Sequence, residues 1–184
     1  MGLLHNIQAY LRNRQLKQHQ QKSRLTSRQR MNFAQAKSIG LLFDATDLER
    51  RNEVLAYAKK LRAQDKKVTL LGFFDSKQEV ADFTFNYFNR SGIDWAKRPK
   101  SKDVEFFLQT PYDIFIHLNP NPSVVTEHVA ALTEAHLKVG SASGLITTYD
   151  LMVDVNDTST LKGFIQQIEQ LFKKTNVNHE AAKI

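Results

Sequence analysis

Cysteine is absent from the 184-residue sequence. Without cysteine a chain has no disulfide, no thiolate metal ligand and no cysteine nucleophile, which excludes disulfide-stapled secreted domains and cysteine hydrolases. The sequence also lacks any run of about 18 apolar residues, the length that a membrane-spanning helix requires, and its first residues lack the apolar core of a signal peptide. We therefore expect a cytoplasmic protein.

Sequence motifs for catalysis and for phosphate binding are absent as well. The seven glycines form neither GxGxxG nor GxxxxGK[ST], and neither GxSxG nor HExxH occurs. The six histidines have spacings that fit no standard metal motif. We therefore predict no metal and no cofactor, and the sequence leaves open which residues are catalytic and whether the protein is an enzyme.

The positive charge is concentrated near the N-terminus. The whole chain has a formal net charge of +7, from 26 basic and 19 acidic residues. Residues 1–37 hold eight of the basic residues and no acidic one, whereas residues 38–184 hold the other 18 and all 19 acids, a net charge of −1. This distribution indicates a basic extension on a nearly neutral domain.

Apolar runs alternate with amphipathic helical patterns over the rest of the chain. The run SIGLLFD, for example, is apolar almost throughout, as in a strand that is covered on both faces. This alternation predicts a three-layer α/β domain of Rossmann or flavodoxin type with about five mostly parallel strands. Strands are predicted at Ser38–Asp44, Lys66–Asp75, Tyr112–Asn119, Leu137–Ser143 and Asp150–Val155, and a weaker edge strand is predicted within Phe83–Phe88.

These patterns divide the chain into three segments. Residues 1–36 are predicted to form a basic amphipathic helical extension, residues 37–176 the α/β domain and residues 177–184 a disordered tail. The connection between the last two predicted strands is shorter than the dozen residues of a helical crossover. The last strand is therefore either antiparallel or placed by an irregular loop.

Polar residues follow the predicted strands at the carboxyl edge of the sheet, where open parallel sheets bind their ligands. Two of these loops lead into helix N-termini, which favour anions. The same residue types commonly cap helices and shape turns, and Asp44 and Asp75 form either a carboxylate pair or such local contacts. The candidate ligand-binding residues are Asp44, Asp75, Asn119, Asn121, Ser123 and Ser141.

The only tryptophan, Trp95, lies in a loop beside three cationic residues, Lys97, Arg98 and Lys100. In one interpretation Trp95 covers the edge of the sheet. In the other, the loop brings Trp95 and its cations to an anionic or planar ligand. The second interpretation adds this loop to the candidate site.

The extension combines apolar and basic residues, as a helix at a membrane surface requires. Its apolar residues recur at helical spacing from Leu3 to Leu11. Docking on an anionic membrane surface is one prediction, and self-association or packing on the domain explains the leucines equally well. Nucleic acid is less favoured, because it needs only the charge. The predicted docking residues are Arg12, Arg14, Lys17, Lys22, Arg24, Arg28 and Arg30.

The strand motifs SIGLLFD, YDIFIHLNP, HLKVG and YDLMVDV, followed by a C-terminal amphipathic helix, resemble a family of uncharacterised cytoplasmic α/β proteins from the Bacteroidota. Members of that family also begin with a basic helical segment, and the resemblance extends over nearly the whole chain. It implies a domain of unknown function, with no assigned activity and no catalytic residue.

Two functions are compatible with the sequence. The first is a non-enzymatic binding or scaffold module that carries a basic docking helix, because no catalytic constellation is recognisable. The alternative is a small enzyme or a domain that binds a nucleotide or a phosphorylated metabolite at the carboxyl ends of the strands. A small-molecule ligand and an anionic surface are the predicted partners.

Overall fold

A computed structural model describes residues 2–22, 31–78, 83–142, 148–154 and 160–181, and within them the chain forms a six-stranded sheet with helices on both faces. The strands are β1 (Ser38–Asp44), β2 (Lys67–Phe74), β3 (Asn86–Asn89), β4 (Tyr112–Leu118), β5 (Ala135–Ser141) and β6 (Leu151–Val153). The helices are α1 (Gly2–Lys22), α2 (Leu48–Arg62), α3 (Lys102–Gln109), α4 (Val124–Leu132) and α5 (Leu161–Ala181).

The strands lie in the order β3-β2-β1-β4-β5-β6, and the neighbours in this order pair in parallel. This is the order of the doubly wound Rossmann fold, in which the direction of strand addition reverses between β1 and β4. The predicted α/β class is thus confirmed. The described sheet has six strands where about five were predicted, because the weaker edge strand pairs with β2 as well.

The last strand, β6, runs parallel to β5, with Val139 opposite Leu151 and Ser141 opposite Val153. The antiparallel alternative is therefore wrong. The described ends of the connection are tied to the strands, because the amide of Ala142 donates to the carbonyl of Val153 at 2.9 Å. At the other end Asp150 exchanges two hydrogen bonds with the backbone of Lys138.

The sheet separates two apolar layers. Because successive side chains of a strand point to opposite faces, Leu41 packs in the layer beneath α2 and α5, whereas Leu42 packs in the layer beneath α3 and α4. α5 contributes Phe164 and Ile168 to the first layer, and both are fully buried. In the second layer α3 contributes Phe107. Both faces of the central strands are therefore covered, as the continuous apolar runs predict.

Two glycines inside strands mark close approaches of aromatic rings, as glycine in a strand commonly does. The ring of Tyr112 lies against Gly40, where a Cβ atom would be 2.9 Å from Tyr112 Cε2. The ring of Tyr149 lies against Gly140 in the same way, and a Cβ atom there would meet Tyr149 Cε1. A methyl group at either position would displace the ring.

Both terminal helices are longer than the sequence patterns indicate. α1 continues to Lys22, and α5 extends through Ala181 into the segment that was expected to be a tail. The sequence TNVNHEA contains no glycine or proline that would end the helix earlier. None of the described helices has the length and apolar character that crossing a bilayer requires.

Candidate functional site

A groove of about 530 Å³ opens at the carboxyl edge of the sheet, on the face that α3 and α4 cover. It spans the end of β1 and the start of α4, the point at which the strand order reverses and at which such folds bind their ligands. Its volume suits a small molecule. We call it the edge groove, and its lining residues are Asp44, Phe73, Asp75, Lys77, Arg90, Ile93, Lys97, Ser123, Val124 and Val125.

Paired charges form one side of the edge groove. Nε and Nη2 of Arg90 donate to the two carboxylate oxygens of Asp75, the second at 2.9 Å, and this hydrogen bonding raises the pKa of Arg90. Thr46 connects Asp75 to Asp44: its hydroxyl accepts from the amide of Asp75, and its own amide donates to Asp44 Oδ1, both at 2.9 Å. Asp75 thus holds the side chain of Arg90, and Asp44 holds the backbone of the loop at Thr46.

Lys97 enters the edge groove from a tight turn. Its backbone has φ of 60°, in the left-handed region that costs a side-chain-bearing residue about 1–2 kcal/mol. Asp94 organises the turn, because its Oδ1 accepts from the amides of Ala96 and Arg98 and its Oδ2 accepts from Arg98 Nε. These bonds offset the burial of the carboxyl group and lower the pKa of Asp94. The turn therefore holds Lys97 in a strained, defined position.

Trp95 plays a different part from Lys97. Its side chain is 57% exposed and does not line the edge groove. The loop therefore supplies a cation to the edge groove, and its aromatic ring points elsewhere.

The N-terminus of α4 forms the facing side of the edge groove. Ser123 caps the helix: its Oγ accepts from the amide of Thr126, whose hydroxyl accepts from the amide of Ser123. The first helical residues, Val124 and Val125, line the groove. Amides in the first turn of a helix have no carbonyl partner within it, so this end is partly positive.

The remaining predicted ligand residues lie in and around the loop before α4. Asn119 is buried and its Oδ1 accepts from the amide of Asn121, which closes a turn. Ser141 is buried too, and its hydroxyl donates to the carbonyl of Pro120 at 2.7 Å. Asn121 is exposed and does not line the edge groove. Asp44, Asp75 and Ser123 are thus brought together, whereas Asn119 and Ser141 brace the loop that carries Ser123.

Two histidines are buried on the same face of the sheet as the edge groove. His117 is fully buried, its Nδ1 lies 2.7 Å from the hydroxyl of Tyr149, and burial lowers its pKa to about 3. His128 on α4 lies beneath α1, with Nε2 3.0 Å from Gln15 Oε1. Burial, assisted by nearby Arg12, lowers the pKa of His128 to about 4. Both imidazoles are therefore neutral at neutral pH.

The predicted docking residues of α1 divide between its two sides. Arg12 faces the domain, where its Nη1 donates to the carbonyl of Ala96 at 3.1 Å. Arg14 and Lys17 are exposed and line a shallow depression with Tyr10. The side chain of Lys22 and the whole of Arg24, Arg28 and Arg30 lie outside the described residues.

One protein-family model matches residues 8–175, most of the chain. The chain belongs to this family of unknown function, DUF6913. No curated protein and no solved structure matches it. The DUF6913 match begins at Gln8, inside α1, so the greater part of the first helix belongs to the shared region together with the sheet.

In this DUF6913 member the edge groove combines charged side chains with an apolar wall. Within the described lining Ser123 carries the one hydroxyl, and that hydroxyl is engaged in the helix cap. No histidine lines the groove among the described residues. Sequence reasoning missed Lys77, which lies three residues after the end of β2, and Arg90, whose place in the groove depends on the pairing of the edge strand β3 with β2.

Proposed function

We propose that this protein is a non-enzymatic binding module that takes up a small phosphorylated ligand in the edge groove. The observation that carries the proposal is the placement of Lys97. Lys97 lines the groove from a strained left-handed turn, and α4 contributes its partly positive N-terminus to the same groove. Backbone strain that the surroundings maintain is characteristic of ligand sites.

The groups that line the edge groove match a phosphorylated ligand with hydroxyl groups. Lys77 and Lys97 supply point charges for a phosphate, which lysine commonly binds. The carboxylates of Asp44 and Asp75 can accept hydrogen bonds from sugar hydroxyls. Phe73, Ile93 and two valines of α4 form an apolar wall for a ring. Nucleotides, sugar nucleotides and sugar phosphates have this combination of groups.

The proposal is tested by a thermal-shift screen of nucleotides, sugar nucleotides and phosphorylated metabolites. A ligand at one hundred times its Kd stabilises the folded chain by about 2.7 kcal/mol, which for a domain of this size raises Tm by roughly 5–10 °C. Clear stabilisation by one such class is expected. If no compound in the screen shifts Tm, the proposal fails.

Replacing Lys97 with glycine separates binding from folding. Lys97→Gly removes the ammonium group and relieves the strain at φ 60°, so the fold is retained or stabilised while ligand binding weakens about tenfold or more. Asp65→Gly is the matched control, because Asp65 has φ of 58° in the turn after α2, away from the groove. It should keep full ligand binding, and equal losses in both variants would contradict the assignment.

A second candidate function, docking on an anionic membrane surface, is favoured by the orientation of α1. Leu4, Ile7 and Tyr10 are 59%, 42% and 64% exposed, and they share the outer side of the helix with Arg14 and Lys17. Leu11, one of the apolar residues that were predicted on the same side, is half-buried instead, as is Leu16. We call Leu4, Ile7, Tyr10, Arg14 and Lys17 the outer face of α1.

The outer face of α1 combines apolar side chains and cations as interfacial helices do. A second copy of the chain would bring like charges together, because residues 1–37 carry eight basic residues and no acid. An anionic bilayer, by contrast, attracts each basic residue by about 1 kcal/mol. We accordingly propose a cytoplasmic protein at the inner face of the membrane, with Bacteroidota relatives that share the basic first helix.

Co-sedimentation of the full chain with vesicles tests the docking function. Binding to phosphatidylglycerol vesicles, but not to phosphatidylcholine vesicles, is expected at low salt, and it should be lost in the triple variant Leu4→Gln, Ile7→Gln and Tyr10→Gln. Phe106→Gln is the control, because Phe106 on α3 is equally exposed at 57%. If the chain stays in the supernatant with both vesicle types, membrane docking is excluded.

A further inference from the structure

α1 is bonded directly to the turn that presents Lys97. Nε2 of Gln8 donates to the carbonyl of Trp95 at 2.6 Å, and Nη1 of Arg12 donates to the carbonyl of Ala96 at 3.1 Å. These are the two peptide carbonyls that immediately precede the left-handed residue Lys97. The first helix therefore holds the backbone on one side of the strained position, while Asp94 holds it from within the turn.

α1 also contacts the helix that forms the facing side of the edge groove. Oε1 of Gln15 lies 3.0 Å from Nε2 of His128, which is on α4 four residues after Val124, the first residue of that helix. Gln8, Arg12 and Gln15 recur at helical spacing, so one side of α1 reaches both the Lys97 turn and α4. These polar contacts hold α1 to the domain alongside the half-buried Leu11 and Leu16.

We infer that Gln8 and Arg12 are positioning residues for the edge groove, which act on the ligand through Lys97. The inference rests on the proposed function, since it concerns the same ligand. Ala96 is fully buried between the helix and the turn, so its carbonyl depends on Arg12 for a partner in a place with little access to water. When these two bonds are absent, the turn relaxes from φ 60° and the ammonium group leaves its position in the groove.

The arrangement gives the protein a means of regulation. A surface or partner that pulls α1 away from the domain would remove both bonds and weaken ligand binding in the groove. By thermodynamic reciprocity the bound ligand would hold α1 against the domain to the same degree.

Inorganic pyrophosphate, titrated calorimetrically into the full chain, serves as the probe. Gln8→Ala and Arg12→Ala are each expected to weaken its binding about fivefold, the typical contribution of one hydrogen bond. Arg12→Lys should restore most of the affinity, because lysine can still donate to the carbonyl of Ala96. Asn13→Ala, an exposed position on α1, is the matched control and should bind as the unmodified chain does.

A double-mutant cycle with Lys97→Ala decides whether the effect passes through Lys97. Gln8→Ala should cause no further loss in the Lys97→Ala background. An equal fivefold loss in both backgrounds overturns the inference, and so does unchanged affinity in Gln8→Ala and Arg12→Ala. Melting temperatures show that each variant is folded.

Fluorescence of the sole tryptophan, Trp95, separates this inference from the proposed function. Acrylamide quenching of Trp95 needs no ligand, and it should increase in Gln8→Ala because the turn is released from α1. If the unmodified chain binds no pyrophosphate, the proposed phosphate site is overturned, even where quenching shows that Gln8 holds the turn. If pyrophosphate binds and quenching stays unchanged in Gln8→Ala, the positioning role is overturned and the site stands.

Discussion

α1 and α5 are both 21 residues long, and they are attached to the sheet by opposite means. α5 buries Phe164 and Ile168 completely in the layer that it shares with α2. α1 is held by polar bonds from Gln8 and Arg12, while Leu4 and Tyr10 remain exposed. One helix is therefore part of the core, and the other is attached by hydrogen bonds and keeps Leu4, Ile7 and Tyr10 exposed.

The comparison shows what helical periodicity does and does not determine. Apolar residues at helical spacing predict that a helix forms and which side repels water. They do not predict what covers that side, because the cover depends on tertiary packing. The apolar side of α5 packs against the sheet, in the layer that it shares with α2. In α1, by contrast, the side that faces the domain carries Gln8 and Arg12, which form hydrogen bonds to it.

The largest expected effect is on the core helix. Phe164→Ala removes a fully buried ring from α5, and such a substitution lowers the free energy of unfolding by about 3–5 kcal/mol. Phe106→Ala, on a 57% exposed ring of α3, is the matched control and should cost less than about 1 kcal/mol. Urea unfolding measures both. Similar losses in the two variants would mean that α5 does not anchor the core.

Much of the fold is predictable from the sequence, because buried strands have a distinct composition. The strand at Ser38–Asp44 forms with the predicted bounds, since SIGLLFD is apolar on both faces and ends in a residue that turns the chain. The parallel direction of β6 was not predictable, because it depends on bonds from Asp150 to the backbone of a distant strand.

The candidate site was predictable only in part. Asp44, Asp75 and Ser123 follow strands or begin a helix, and every parallel sheet brings such positions to one edge. Arg90 reaches the groove because β3 pairs beside β2, and no local pattern encodes that pairing. The role of Gln8 was equally hidden, since the residue that it contacts is 87 positions away.

The second-largest effect on stability is expected from the two buried histidines, one of which lies beneath α1. Their pKa values are about 3 for His117 and about 4 for His128 in the folded chain, against 6.5 when exposed. Below pH 6.5 the unfolded chain binds protons that the folded chain does not, so stability is complete above pH 6.5 and decreases as the pH falls. Each histidine should remove about 2 kcal/mol between pH 7 and pH 5.

Urea unfolding at pH 7, 6 and 5 measures this loss in a range where carboxylates contribute little. His128→Gln should remove about half of the pH dependence, and its amide can still bond to Gln15. Protonated His128 would lie beside Arg12 and Arg98, so α1 should separate before α5 does, which Trp95 fluorescence reports. An unchanged slope in His128→Gln would show that this imidazole is already solvated.

A smaller effect is expected at the ion pair that joins α2 to α5. Nζ of Lys60 contacts Glu169 Oε1, and the two side chains are 55% and 25% exposed. Exposed pairs contribute about 0.2–1 kcal/mol and are screened by salt. Lys60→Ala should therefore cost less than about 1 kcal/mol, and the difference should disappear in 1 M salt. A larger loss of unfolding free energy would mean that polar contacts hold α5 in place, as they hold α1.

The smallest effect on stability per residue is expected on the outer face of α1. The triple variant Leu4→Gln, Ile7→Gln and Tyr10→Gln should change the free energy of unfolding by less than about 0.5 kcal/mol per site, because the three side chains already contact water. Glutamine forms helices as well as these residues do, so the helix itself is retained. Urea unfolding and size-exclusion chromatography at several protein concentrations provide the measurement.

This last variant distinguishes the two uses of a helix most directly. If stability is unchanged while binding to anionic vesicles is lost, the apolar side chains of α1 act outside the domain, in contrast to those of α5. If stability falls by 2 kcal/mol or more, or if the oligomeric state changes, Leu4, Ile7 and Tyr10 are covered by protein in solution. In that case α1 would be a second core helix, and its cations would be only the solvated side of an interface. No exposed apolar surface would then remain on α1 for membrane docking.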